Sequence, residues 1–169
     1  MKRRIGEVIQ ECNVYIDGQG YLGVVRNLKL PDIEQEVIET KGVLSANYGS
    51  GVLKPLEISF KLSVVDPVVY AAFFHTTYST IKAPILFRES VHQGGDNHGI
   101  SAEIMGEFIS LNESDHESGK EVEVEVKMAV HSYIQRRNKI PIIIYDHKNT
   151  ILMINGIDLM SGVRSNLTI

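Results

Sequence analysis

The sequence predicts a mainly β fold, a β-barrel or β-sandwich with one short flanking helix and a short C-terminal helix. Three observations carry this. In residues 119–134 (GKEVEVEVKMAVHSYI), Glu121, Glu123, Glu125 and Lys127 alternate with Val122, Val124, Val126 and Met128, the period of two that marks a half-buried strand. Residues 56–65 (LEISFKLSVV) repeat the pattern, with Leu56, Ile58, Phe60, Leu62 and Val64 on one face. Convincing helix signals occur only twice, at Asp66-Pro67 and in the last dozen residues.

The 119–134 stretch is the element around which the rest is arranged. Its valine face continues to Val130, and each such side chain is worth roughly 1.5–3 kcal/mol when fully buried. Its glutamate face must stay hydrated, because a buried unpaired carboxylate is very unfavourable. At about 3.3 Å per residue the stretch spans roughly 50 Å, so it bends or reaches towards a neighbour. Residues 101–111 (SAEIMGEFISL) form its hairpin partner, and 112–119 (NESDHESG) the turn.

From the N-terminus, residues 1–12 (MKRRIGEVIQEC) are weakly patterned and read as an arm, mobile or docked on a partner. Glu7 and Glu11 break any signal-peptide core. Residues 13–16 and 21–25 are strand-like and flank Asp17-Gly18, a favoured hairpin turn. GQGYLG is not a phosphate-binding Walker loop, and no helix follows it. Residues 26–30 stay extended up to Pro31. Residues 33–40 (IEQEVIET) fit helix through the spacing of Ile33, Val37 and Ile38, or strand; the β-branched residues and short length favour strand. Residues 41–54 (KGVLSANYGSGVLK) read as a long glycine-rich loop. Such loops inside compact domains are uncommon and are usually functional or disordered.

After the 56–65 strand, Asp66 as N-cap and Pro67 at the first helical position start a helix over VVYAAFFH. Val69, Ala72 and Phe73 share its packing face, and residues 76–80 end it. Residues 84–89 are a strand and 90–99 (SVHQGGDNHG) a loop. Residues 135–139 (QRRNK) form a basic turn, and 140–145 and 150–154 are further strands. Asn155-Gly156 is a turn, after which Asp158 caps a last helix with Leu159, Val163 and Leu167 on one stripe.

The totals narrow the function. The 169 residues suit one domain with arms, and their formal charge of −4 argues against a protein that grips nucleic-acid phosphate. No apolar run approaches the ~20 residues of a membrane helix. Cys12 is the sole cysteine, so no intrachain disulfide forms, which suits a reducing compartment. No nucleophile elbow, zinc-protease motif, paired Cys motif or P-loop is present, and three glutamates along one strand face do not make an acid/base pair. No catalytic, cofactor or metal residues are therefore assigned. His92, Asp96 and His98 match no standard ligand spacing. Two readings remain: an assembly protein, or a soluble β-sandwich module that uses the 90–99 loop or the glutamate face for a ligand.

The order of segments resembles the major tail tube protein of contractile-tailed phages and R-type pyocins. NVYIDGQGYLG (13–23) is similar to that family's N-terminal hairpin, with Leu30-Pro31 following in place. LEISFKLSVVDPVVYAAFF (56–74) resembles its strand, Asp-Pro cap and helix, and 106–134 its long hairpin. INGIDLMSGVRSNLTI (154–169) is similar to the ending N-G-V-D-x-L-x-x-I-R-x-x-L-G. Segments 42–51 and 90–99 depart from the family, and Thr168 stands where it often has glycine.

The resemblance implies a β-barrel or β-sandwich of tail-tube type. Six copies would form a ring, and rings would stack into a tube inside a contractile sheath, through which DNA passes without specific binding. It also implies sheath, baseplate, initiator and terminator proteins as partners, no cofactor and no membrane, and a place in a virion tail assembled in the host cytoplasm. Tubes of secretion or injection systems are its near relatives. On this reading, Gly42, Val43, Leu44, Tyr48, Gly49 and Gly51 would reach the next ring, Glu121, Glu123 and Glu125 would line the channel, and the terminal segment 155–169 would dock through Leu159, Val163 and Leu167.

Overall fold

The computed structural model describes residues 5–78 and 84–168. Residues 1–4 of the expected arm, and the helix end expected at Thr80, lie outside the described residues.

Among the described residues, twelve strands and two helices follow in the order β1 (Val8–Ile16), β2 (Gln19–Gly20), β3 (Val25–Lys29), β4 (Gln35–Thr40), β5 (Ala46–Leu53), β6 (Glu57–Leu62), α1 (Pro67–Tyr78), β7 (Ile85–Gln93), β8 (Asp96–Glu113), β9 (Val124–Arg137), β10 (Ile140–Asp146), β11 (Ile151–Ile154), β12 (Ile157–Asp158) and α2 (Ser161–Leu167). Ten strands make one antiparallel sheet; β4 and β5 pair only with each other.

The hub is β9. One of its edges pairs with β8 from Val124 to Arg137. The other is shared, first by β6 (Val124–Ala129) and then by β10 (Ser132–Arg137). The sheet therefore divides along β9, and β6 with β3 curls back over the core while β10, β11 and β12 run on. Two irregularities sharpen this bend: the ladder skips His131 in β9 and Ile109 in β8, and bulges of this kind increase local twist. Gly106 faces the first of them. A Cβ there would overlap the Ala129 carbonyl, so this close approach accepts only glycine.

The core gathers the expected strand faces. Ile58, Phe60 and Leu62 of β6 and Val124, Val126, Met128 and Val130 of β9 are buried together with Val14, Ile85, Phe87, Ile104 and Tyr133. Phe60 and Phe87 meet edge to face, with ring centroids 5.4 Å apart. Helix α1 lies across this core. Val69 is buried, and Phe73 stacks on Phe108. Asp66 starts the helix, its Oδ1 accepting the Val68 N–H at 2.8 Å. Its other oxygen accepts the Tyr21 hydroxyl at 3.1 Å. Burial, reinforced by this carboxylate, pushes the Tyr21 phenol up to about 12. One residue thus ties the helix to the β2–β3 connection.

Several expected boundaries shift. The strand expected over 119–134 begins at Val124 because Ser114 and Glu123 close the hairpin with two hydrogen bonds, leaving Glu121 and Glu123 in the connection. The loop expected at 90–99 is a tight hairpin instead, since Gly94-Gly95 turn the chain and the flanking residues join β7 and β8. The basic turn at 135–139 shrinks to Asn138-Lys139, with the two arginines in β9. The arm expected at 1–12 enters the sheet at Val8 and pairs with β7. The segment 21–25 is mostly turn. Asp17-Gly18 and Asn155-Gly156 make two-residue hairpin turns as read, with φ of 50° and 79° in the first.

The terminal helix departs in mechanism. Asp158 belongs to β12 and does not cap α2, whose first flanking residue is Met160 with no side-chain cap. Asp158 instead pairs with Arg164, which also donates to the Thr150 carbonyl at 2.9 Å. That pairing holds the Asp158 carboxyl below its ordinary range. Thr168 closes α2 at φ 56° in the left-handed region, which glycine occupies more readily.

Candidate assembly surfaces

The segment 41–54, read as a loop, is one arm of a hairpin. Strand β5 pairs with β4 in the register Ile38↔Tyr48 and Thr40↔Ala46, and only 41–45 is turn. The glycine content misled because Gly49 and Gly51 lie inside β5. Gly49 accommodates the Gln35 side chain across the pair, and Gly51 takes a positive φ of 78° at the register shift. The hairpin is tied down at its root, where Lys54 N donates to the Glu34 carbonyl and Lys54 Nζ pairs with the Glu34 carboxylate, both near 2.8–2.9 Å.

Beyond the root the described residues leave the hairpin's apolar side chains uncovered. Val37, Ile38, Tyr48 and Val52 are more than half exposed, and at the tip Val43 and Leu44 are 104% and 90% exposed. A lone two-stranded hairpin is at best marginal in water. Sequence reasoning singled out Tyr48 and the tip but missed Val37, Ile38 and Val52, because the strand-like 33–40 segment had no partner to show which residues stay uncovered.

The three glutamates divide. Glu121 is exposed in the β8–β9 connection. Glu123 pairs with Lys61 at 2.9 Å, which raises the lysine's pKa. Glu125 stands in register between Lys61 of β6 and Asn112 of β8. The hydrated side of the sheet also carries Glu57, Glu103 and Lys127, and Glu103 pairs with Arg136 at 3.0 Å. It is a mixed face with an acidic excess.

At the C-terminus, Leu159, Val163 and Leu167 are each about half exposed, so the described residues leave the stripe partly open, and polar contacts tether α2. A second aromatic stripe was missed: Tyr70, Phe74 and Tyr78 lie on the outer side of α1, with the Phe74 and Tyr78 rings 5.0 Å apart. Their spacing of four residues was legible, but attention went to the opposite face.

Chemistry-bearing groups do not converge. His92 Nδ1 lies 2.9 Å from Asn97 Oδ1, and Asn138 Nδ2 lies 3.1 Å from His98 Nδ1. Among the described residues no three His, Cys, Asp or Glu side chains are grouped to hold a metal ion. No described helix is long and apolar enough to cross a membrane.

A known structure shares this fold: a sheath/tube terminator of an extracellular contractile injection system (PVC) in its extended state, with a TM-score of 0.53 at 12% identity, over 75% of this chain and 94% of that one. A looser likeness is to a chain of the anti-feeding prophage baseplate, with a TM-score of 0.45 at 6% identity, over 83% of this chain and 99% of the other. No curated protein sequence matches the chain. The model of the family described as phage tail tube protein FII matches residues 6–167. With nearly the whole chain matched, the protein belongs to the phage tail tube protein FII family.

Proposed function

We propose that the protein is the structural subunit of the inner tube of a contractile phage tail or a related injection particle. Copies assemble into hexameric rings, the rings stack, and the bore conducts DNA to the host. The observation that carries this reading is the β4–β5 hairpin. It belongs to a tube-family chain, projects from the barrel, and carries apolar side chains that no described part of the chain covers. Exposed apolar patches of this kind mark interaction sites. The stripe of Leu159, Val163 and Leu167 supplies a second contact between copies. The tube meets a sheath outside and baseplate, initiator and terminator proteins at its ends.

In this reading the hydrated side of the sheet, with Glu125, and the β8–β9 connection, with Glu121 and Glu123, face the bore. Its acidic excess repels passing phosphate and keeps the nucleic acid from sticking. No catalytic step is required of any residue.

Negative-stain electron microscopy across a concentration series tests the assembly directly. Rings or tubes with a central hole are expected. A uniform monomer that also fails to add to preformed tube ends would overturn the reading. The bore orientation has its own test. Replacing the three glutamates by lysine should leave tubes intact and stall delivery of the genome, and undiminished infectivity would refute it.

A further inference from the structure

The sheet register places two carboxylates around one arginine. Arg137 of β9 stands opposite Ile100 of β8, Ile100 opposite Glu89 of β7, and Glu89 opposite Cys12 of β1. Residues directly opposite in an antiparallel pair share a face. Phe87 and Val91, two positions to either side of Glu89, are buried, so Glu89 points to the core side. It is half-buried, and no hydrogen bond or ion pair engages it among the described residues. Keeping such a carboxylate charged is unfavourable. Arg137 lies two strands away on the same face, roughly 10 Å between Cα atoms, and is occupied by Glu7 at 2.5 Å.

Glu7 belongs to an arm, residues 5–9, that the sheet holds loosely. Val8 and Ile9 pair with His92 and Val91, and the register then shifts at Gln10. Ile5, Val8 and Ile9 are all more than half exposed, so no core contact anchors the arm. Beyond that short ladder its ties are polar: Gln93 Nε2 donates to the Ile5 carbonyl at 2.8 Å, and Glu7 pairs with Arg137. Partly exposed ion pairs hold weakly.

We infer that Arg137 is a shared clamp. Paired with Glu7 it straps the arm onto the sheet, and with the arm lifted it turns along Ile100 to Glu89. An arginine stem lies readily on an apolar side chain while its head keeps a polar partner. No other cation faces Glu89. Cys12 faces it from β1 and Ile100 from β8, and Tyr133 of β9 stands near, its hydroxyl already donating to Gln135 Oε1 at 2.9 Å. Arg26 of β3 bears on Cys12, but its guanidinium donates to the Gly23 and Val25 carbonyls at 3.0 and 3.1 Å. The clamp is a property of the single chain and does not depend on the tube.

Acidity sets which seat competes. Burial holds the Glu89 carboxyl above its ordinary range, and Arg137, with a smaller contribution from His98, holds that of Glu7 below. As pH falls, Glu89 takes a proton first while Glu7 keeps the arginine, so mild acid closes the strap. As pH rises through the folded value of Glu89, its carboxylate forms and draws Arg137 away, and the strap loosens.

Carbon-13 titration of the Glu89 carboxyl and amide exchange over residues 5–12, corrected for intrinsic pH dependence, test this on the full chain. Glu7→Gln should lower the Glu89 midpoint and quicken arm exchange about two- to fivefold, with the global denaturation midpoint unchanged; Glu7→Ala repeats the measurement. Combining Glu7→Gln with Arg137→Gln should quicken the arm equally and return Glu89 to its native midpoint. Glu89→Gln should slow arm exchange on the alkaline side and remove the step from its pH profile. A Glu89 midpoint that ignores Glu7→Gln would overturn the shared clamp, and so would an arm whose pH profile is the same with and without Glu89→Gln.

Discussion

The barrel and the β4–β5 hairpin are built from the same kind of residue and differ in where its apolar side goes. In β6, Ile58, Phe60 and Leu62 face inward and are almost completely buried. In β4 and β5, Val37, Ile38, Tyr48 and Val52 face solvent. Burial of one such side chain is worth roughly 1.5–3 kcal/mol, so the first set stabilises the isolated chain and the second can contribute only in contact with another molecule. On the proposed function, stability and assembly fall to separate segments, and substitutions should separate them.

The largest effect belongs to the barrel. Phe60→Ala removes a fully buried ring that meets Phe87 edge to face, and should lower unfolding free energy by about 3–5 kcal/mol. Leu44→Asp should do the opposite: an unchanged denaturation midpoint and loss of tubes by electron microscopy. Denaturant titration and microscopy on both variants check the pair. If Leu44→Asp lowers the midpoint as Phe60→Ala does, the hairpin is part of the folding unit and the comparison fails.

The same division explains what could be read from the sequence. The barrel strands were legible because one buried face imposes a period of two, as at 56–65, and the Asp66-Pro67 start was legible because capping is local chemistry. The hairpin arm β5 was not, because Gly49 and Gly51 depress strand signal and no buried face restores it. The start of β9 was misplaced for a related reason. The Glu-Val alternation continues through Glu121 and Val122, yet pairing stops where Ser114 closes the connection, and pattern alone does not reveal where a partner strand ends. The bulge at His131 is a three-dimensional event with no sequence period.

A middle-sized effect sharpens the barrel side of the comparison. Asp66→Ala removes the α1 cap and the acceptor for Tyr21 together, and should lower stability by about 1–3 kcal/mol without altering tube formation. Tyr21 also predicts an alkaline signature. Its phenol has a raised pKa in the folded chain, so folding favours the protonated form. That contribution is fully present below the ordinary value near 10 and is lost as pH rises through about 12. Unfolding measured from pH 9 to 12 should fall less steeply for Tyr21→Phe than for the native protein. Equal slopes would show that neither the burial of Tyr21 nor its Asp66 contact couples its titration to folding.

The terminal segment lies between the two regions and should show the smallest effect. Its apolar stripe is exposed like the hairpin's, yet α2 is tethered by Arg164 to Asp158 and to the Thr150 carbonyl. Arg164→Ala should free residues 159–168 to exchange amide hydrogens faster, with little change in the global midpoint, because no buried residue of α2 anchors it. The tether also has a pH sense. The Asp158 carboxyl is depressed, so its contribution is present above the ordinary carboxylate pKa and is lost as pH falls through the lower folded value. Exchange at the C-terminus should therefore quicken in acid in excess of the intrinsic pH dependence, and only in chains that keep Arg164. Thr168→Gly should act the other way, relieving a left-handed threonine at the helix end. If Arg164→Ala leaves exchange unchanged, α2 is held by its apolar stripe, and the C-terminal segment belongs with the barrel and not with the assembly surfaces.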